Sequence, residues 1–102
     1  MASGKRQYRS RIQIAADILE IAKEGSRKTK IMYMGNLSFD LLQKYLDTLV
    51  KYDLLEVKDK PERSYVATAK GQRFLEDYRE LQRYAEMAES KKRALETSLA
   101  VA

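Results

Sequence analysis

The stretch NLSFDLLQKYLDTLVKYDLLEV, residues 36–57, decides the fold. Ser38 precedes an amphipathic run, and a serine hydroxyl in this position accepts a hydrogen bond from an amide of the first helical turn. Leu42, Leu46 and Leu49 recur at i, i+4 and i+7, which predicts one buried helical face. Beyond this helix the apolar period shortens to that of a β-strand. The stretch therefore predicts a capped helix that runs directly into a strand.

Two shorter helices are predicted upstream of this stretch. Ser10 and Gln13 have the spacing of a capping box, and the isoleucines and alanines that follow form a helical stripe that we expect to end at Gly25. The segment RKTKIMYM then predicts a second helix, ended by Gly35. The short turn MGNLS joins it to the helix that begins after Ser38, which is the arrangement of a helix-turn-helix.

A hairpin and a long helix are predicted downstream. The β-prone runs LLEVK and SYVAT flank the polar segment DKPER, and Thr68 caps a final helix. The order of these elements predicts a mainly α (α+β) fold: a winged helix-turn-helix with a two-stranded β wing and a long C-terminal helix. We expect a flexible basic arm at residues 1–9, a winged-helix domain at 10–68 and the C-terminal helix at 69–102.

The last helix carries a heptad pattern. About 30 residues of helix span roughly 45 Å, too long to lie wholly on so small a domain, so most of its apolar seam needs a partner. Lys92 falls at position a of the heptad abcdefg, where apolar residues usually lie. It would weaken this seam and could fix its register or orientation. A membrane-surface role is disfavoured, because the charges are mixed and the seam is narrow. The predicted dimer interface comprises Phe74, Tyr78, Leu81, Ala85, Ala88, Lys92, Leu95 and Leu99.

Composition limits the function classes. The 102 residues suffice for one modest domain and an extended element. The absence of cysteine and histidine excludes disulfides, thiolate nucleophiles and imidazole bases, and nearly all zinc chemistry. We therefore expect no enzyme, no metal site, no cofactor and no small-molecule ligand. No apolar run approaches the roughly 20 residues of a membrane span, and the N-terminus does not have the pattern of a secretory signal, so we expect a cytoplasmic protein.

Basic charge is concentrated at the front of the chain. The formal net charge is +5, and the first 30 residues hold eight basic residues against three acidic ones. From residue 69 onward seven basic residues face six acidic ones. A basic front and a nearly balanced tail indicate one part that meets a polyanion and another that meets protein.

The chain also resembles a known family. LSFDLLQKYLDTLVKYDLLEV, the hairpin and ATAKGQRFLEDY are similar to the winged-helix pattern, and KEGSRKTKIMYMGNLS with the heptad tail resembles the small archaeal chromatin-associated proteins of Sulfolobus, the 10a family. The resemblance implies a nucleoid-associated homodimer, joined through an antiparallel coiled coil, that binds double-stranded DNA with little sequence preference. Asp53 departs from the pattern, which usually has glycine before the wing strand; aspartate tolerates the left-handed conformation that this turn needs.

On a winged helix, basic segments scattered along the sequence would converge on one DNA-facing surface. Such contacts to phosphates supply affinity without reading sequence. The candidate nucleic-acid-binding residues are Arg6, Arg9, Arg11, Arg27, Lys28, Lys30, Phe39, Gln43, Lys44, Lys60 and Arg63.

The third helix carries acid on its outward face. Asp40 and Asp47 would mainly repel phosphates, although Asp40 also suits the positive end of the helix. Gln43 and Lys44 could read base edges, which keeps a sequence-specific regulator on the same fold as an alternative. A protein-interaction module that binds no DNA is a second alternative, and seven tyrosines among basic residues leave a single-strand stacking surface as a minor one.

Overall fold

Three helices precede a hairpin and a fourth helix follows it in the computed structural model, which describes residues 9–100. The helices of the first half are α1 (Arg11–Ile21), α2 (Lys28–Gly35) and α3 (Phe39–Lys51). Strands β1 (Leu55–Lys58) and β2 (Ser64–Ala67) form the hairpin, and α4 spans Ala69–Leu99. This order confirms the predicted winged helix-turn-helix with a two-stranded wing and a long last helix.

Side-chain caps start three of the helices where the sequence places them. The Ser10 hydroxyl accepts from the amide of Gln13, whose side chain accepts in return from the Ser10 amide, so the capping box is complete. Ser38 caps α3, and Thr68 accepts from the amide of Gly71 at 3.0 Å. Each cap satisfies a backbone donor that the first helical turn leaves without a partner.

The ends of the first two helices differ from the prediction. Helix α1 ends at Ile21 with Ala22 as its C-cap, and Gly25 instead provides a φ of 101° in the following turn. Helix α2 includes Gly35, and the left-handed C-cap is Asn36, with a φ of 54°. Asparagine reaches this conformation at a lower cost than most residues, which explains how it replaces glycine here. Asp53 has a φ of 63°, as expected for the turn before the wing.

The core lies between α1, α3, the wing and the start of α4. Leu42, Leu46 and Leu49 are buried as predicted, in the same hydrophobic cluster as Ile18 and Leu19 of α1. Other buried apolar residues come from α2, β1, β2 and α4. Burying one such leucine side chain contributes roughly 1.5–3 kcal/mol. The buried face of α3 thereby fixes which of its side chains point to solvent.

The wing is attached to the helical part by its own backbone. Strands β1 and β2 pair antiparallel, with Leu55 opposite Ala67 and Lys58 opposite Ser64. Ser26, in the α1–α2 turn, exchanges two backbone hydrogen bonds with Tyr65, at 2.9 and 2.8 Å. The hairpin therefore has a fixed orientation relative to the start of α2.

The first three turns of α4 belong to the domain. A Cβ placed on Gly71 would lie 2.3 Å from the Leu54 carbonyl oxygen, so only glycine allows this close approach. Leu75 is buried, while Phe74 and Tyr78 are half-buried against the core. Phe74 and Tyr78, two residues of the predicted dimer interface, therefore also pack on their own domain.

Beyond Tyr78 the helix projects from the domain. Every residue from 79 to 99 is exposed, and the described part of the chain measures 65 × 33 × 19 Å. Arg79 donates to Glu20 at 2.6 Å and marks the last polar contact between α4 and α1 in residues 9–100. None of the helices described here combines the length and the apolar character that a membrane crossing requires.

Candidate nucleic-acid interface

Helix α3 presents a charged face opposite its buried leucines. A helix turns by about 100° per residue. The solvent-facing side of α3 therefore carries Asp40, Lys44, Asp47 and Lys51. All four side chains are exposed. Two cations and two carboxylates thus alternate along the face that a winged helix turns toward DNA.

A chain of side-chain contacts ties α2 to this helix. The Lys28 ammonium group donates to the side-chain oxygen of Gln43 and lies 4.0 Å from the centroid of the Phe39 ring. The Gln43 amide nitrogen in turn donates to Asp47 at 2.9 Å. Lys28 is therefore held by a hydrogen bond and a cation–π contact at once.

These contacts explain the acid on α3. Asp47 accepts the amide hydrogen of Gln43, and this fixes the amide oxygen toward Lys28. Both ends of the Gln43 amide are used within the protein. A bidentate contact between Gln43 and adenine would first break both hydrogen bonds.

Two further cations, one at the start of α2 and one on the wing, each lie beside a carboxylate of the wing. Arg27, at the start of α2, pairs with Glu62 of the wing tip at 2.8 Å. Arg63 lies 3.8 Å from Asp59. The side chain of Tyr65, and after it the Asp59 carboxylate, raises the pKa of Arg63, which remains a cation at any physiological pH. Both pairs are largely exposed, so solvent screens them and a phosphate can replace the carboxylate.

A shallow groove of about 320 Å³ separates α3 from the wing. Lys51 lines it on the α3 side and Arg63 on the wing side. Lys51 is not among the predicted residues, although its i+7 spacing from Lys44 places the two lysines within about 20° of each other around the helix. Arg27, Lys28, Lys44, Lys51 and Arg63 thus belong to adjoining parts of one surface, which we call the α2–α3–wing surface.

Lys60 lies at the exposed tip of the hairpin, between β1 and β2. Neither Lys60 nor Lys44 forms an ion pair with another residue in the described range 9–100. These two predicted residues and Phe39, which is more than half exposed, are open to solvent.

Arg9 is engaged inside the fold. Its guanidinium group pairs with Asp17 at 2.8 Å and donates to the Asn36 carbonyl oxygen at 3.2 Å. These contacts connect the segment that precedes the N-cap of α1 with the turn between α2 and α3. Arg9 therefore stabilises the helix-turn-helix, and its charge is already compensated.

Two other predicted cations do not join the α2–α3–wing surface. Lys30 lies about 200° around α2 from Lys28 and lines a depression with Glu20 and Glu24 of the α1–α2 region. Arg11 borders a different groove, between α1, α3 and α4. Arg6 lies outside the described residues.

Comparison with known proteins agrees with this geometry. The sequence profile of the winged helix-turn-helix family matches residues 8–86. The chain belongs to the winged helix-turn-helix family. Among solved structures, this winged-helix protein is similar to Sso10a-2, a DNA-binding protein from Sulfolobus solfataricus, with a TM-score of 0.81 and 28% identity over 92% of this chain and 100% of that one. The resemblance to the Sulfolobus 10a proteins is confirmed.

Two further relatives are more distant or partial. A cysteine-to-serine mutant of ZitR from Lactococcus lactis has a TM-score of 0.57 over 95% of this chain and 77% of its own, and at 16% identity it shows a shared fold only. An uncharacterised protein of Methanocaldococcus jannaschii is 43% identical over 47 residues, which are 45% of this chain and 48% of that protein. The match thus spans about half the length of that curated relative.

Proposed function

We propose that this winged-helix protein is a homodimer that binds double-stranded DNA, mainly through the phosphate backbone, and organises it in the nucleoid of the cytoplasm. The observation that carries the proposal is the Lys28–Gln43–Asp47 chain of contacts. These contacts hold the Lys28 ammonium group in place on the α2–α3–wing surface. They also use both ends of the Gln43 side-chain amide, the one amide side chain of α3. We assign the protein no catalytic role.

The charges of the α2–α3–wing surface suit phosphates. Its cations come from α2, α3 and the wing, and three of them can exchange an internal partner for a phosphate oxygen: Arg27, Lys28 and Arg63. Arginine and lysine contacts of this kind position a duplex without reading its bases. The similarity to Sso10a-2, described as a DNA-binding protein, supports the same partner here.

Outward carboxylates limit sequence reading rather than binding. Asp40 lies in the first turn of α3, where the positive end of the helix favours an acid. Asp47 is bonded to Gln43. Because Asp40 and Asp47 have these roles inside the protein, α3 orients the domain in the groove of the DNA. The neighbouring cations supply the affinity.

The projecting part of α4 supports the dimer. Leu81, Leu95 and Leu99 are 52%, 68% and 81% exposed, although they share one stripe of the helix. In a second copy, the same stripe would cover them. Parallel helices would set Lys92 against its own copy in the seam, whereas an antiparallel pair places each Lys92 opposite Leu81 of the partner.

An antiparallel pair would give the protein two DNA surfaces. With Ala85 opposite Ala88 of the partner, the two domains lie at opposite ends of a rod. Each end carries its own α2–α3–wing surface. Two such surfaces on one particle can contact two duplexes, or two parts of one duplex, which is the activity of a DNA-organising protein.

Duplex binding as a function of salt tests the proposal. About six phosphate contacts per domain predict a loss of roughly 10³ in affinity between 50 and 200 mM salt. Replacing Lys44 and Lys51 by alanine should flatten the logarithmic slope by nearly one unit per lost contact. A variant with Arg83 and Arg93 replaced by alanine makes the same change in net charge on the projecting helix, at exposed residues outside the predicted dimer interface. No duplex binding at low salt would contradict the proposal and favour a protein-interaction module.

A further inference from the structure

An apolar groove of about 520 Å³ lies at the base of the projecting helix. Its walls include Ile12 and Ala15 of α1, Tyr45 and Leu49 of α3, and Phe74 of α4. Ile12 is half exposed although it is a large apolar residue. The groove lies on the side of α3 away from the α2–α3–wing surface, so DNA binding as proposed leaves it open.

The groove is continuous with the exposed apolar stripe of α4 that Leu81, Leu95 and Leu99 form. On a straight helix, Phe74, Leu81 and Leu99 lie within about 20° of one another. Phe74 is therefore both a wall of the groove and the first residue of the exposed stripe. An apolar surface that starts inside a groove and continues along a helix fits one elongated occupant better than a small molecule.

Two uncompensated helix ends add a charge argument. Helix α4 has no basic residue in its last turn, and α1 has no acidic residue in its first turn. The C-terminal end of a helix carries roughly −0.5 charge and the N-terminal end roughly +0.5. Arg11, at the start of α1, stands exposed at the rim of the groove. The rim therefore attracts the C-terminal end of a helix.

We infer that the groove receives the last turn of α4 from a second copy of the chain, with Leu99 of the partner packed against Phe74 and the helix end beside Arg11. The inference rests on the proposed antiparallel dimer. When Ala85 faces Ala88 of the partner, the same register brings Leu99 of the partner to Phe74 and Leu95 of the partner to Tyr78. The other protomer then covers the parts of Phe74 and Tyr78 that are exposed in the single chain.

Docking in the groove would act on the DNA-binding helix. Tyr45 and Leu49 form its wall on the inner side of α3, and Lys44 and Asp47 lie on the outer side of the same helix. The partner's helix end would therefore support α3 from behind. Dimer formation and the orientation of the DNA surface become linked through one packed contact.

Cysteine pairs test the docking directly, because the chain has no cysteine of its own. Thr48→Cys with Ala100→Cys places one thiol in the groove and one at the end of α4. Within one chain these residues are separated by the roughly 30 Å of projecting helix, so a short thiol-reactive crosslinker can join them only between protomers. Glu24→Cys with Ala100→Cys is the matched control, because Glu24 lies beyond the other end of α1. Sedimentation equilibrium without DNA is measured on the same variants.

A dimer in which only the Thr48 and Ala100 pair crosslinks supports the inference. A dimer in which this pair reacts no faster than the control overturns the groove assignment and leaves the proposed dimer standing. A monomeric mass overturns both. Arg11→Gln provides a second measurement: loss of the contact with the helix end should weaken the dimer by about two- to fivefold, whereas Lys23→Gln should not. Equal dimer affinities for these two variants would overturn the assigned position of the helix end.

Discussion

Replacing Glu62 by glutamine should strengthen DNA binding. Glu62 holds Arg27 at 2.8 Å, and the two side chains are 58% and 64% exposed. Arg27 must leave this carboxylate before it contacts a phosphate, and the carboxylate itself repels the duplex. An exposed pair of this kind has an interaction free energy of about 0.2–1 kcal/mol, so its removal should raise affinity by up to about fivefold.

The assay is fluorescence anisotropy with a labelled random duplex at one fixed salt concentration. Glu86→Gln is the matched control, because it makes the same change in net charge on the projecting part of α4. Denaturant unfolding should show that Glu62→Gln lowers the free energy of unfolding by less than about 1 kcal/mol. If Glu62→Gln binds no more tightly than Glu86→Gln, Arg27 does not contact the duplex. The proposal that Arg27 and the wing tip face the DNA is then refuted.

Three further changes test other parts of the molecule. Gly71→Ala should destabilise the domain by about 1–3 kcal/mol in denaturant unfolding, because its Cβ would meet the Leu54 carbonyl oxygen; an unchanged or increased stability would contradict this packing. Aspartate at Leu81 or Leu95 should yield monomers in sedimentation, and an unchanged dimer mass would refute the proposed seam. Gln43→Ala should lower the affinity for all duplexes by a similar factor, since it releases Lys28 without removing a base contact; a loss confined to one sequence would show that Gln43 reads bases.

Local signals in the sequence predicted the elements well. The caps at Ser10, Ser38 and Thr68 were predictable because each depends on residues within one helical turn. The same holds for the buried leucines of α3. The helix C-termini were predicted less well, because Ala22 and Asn36 take cap positions that glycine usually favours.

The site depended on contacts between distant residues, which a linear pattern does not reveal. Arg9 meets Asp17 and the Asn36 carbonyl, and no local pattern marks Arg9 as a structural residue. Phe74 and Tyr78 fit the heptad, yet they also face α1, since a long helix can use adjoining faces for two different surfaces. Lys51, by contrast, could be predicted from its i+7 spacing to Lys44 on the exposed face of α3.

The acid on α3 becomes consistent with DNA binding once its partners are known. Asp47 orients Gln43, and Gln43 orients Lys28. The carboxylates of the wing instead compete with phosphates for Arg27 and Arg63, which must leave them to reach a duplex. The surface thus combines cations from α2, α3 and the wing with an outward helix that has little capacity left to read bases.

The affinity ratio between duplexes selected for tight binding and random duplexes, at one fixed salt concentration, tests the central claim most directly. Binding through the phosphate backbone predicts a ratio well below about 10³, the lower end of the range for sequence-specific proteins. A ratio above about 10³ would contradict the account and identify the protein as a sequence-specific regulator.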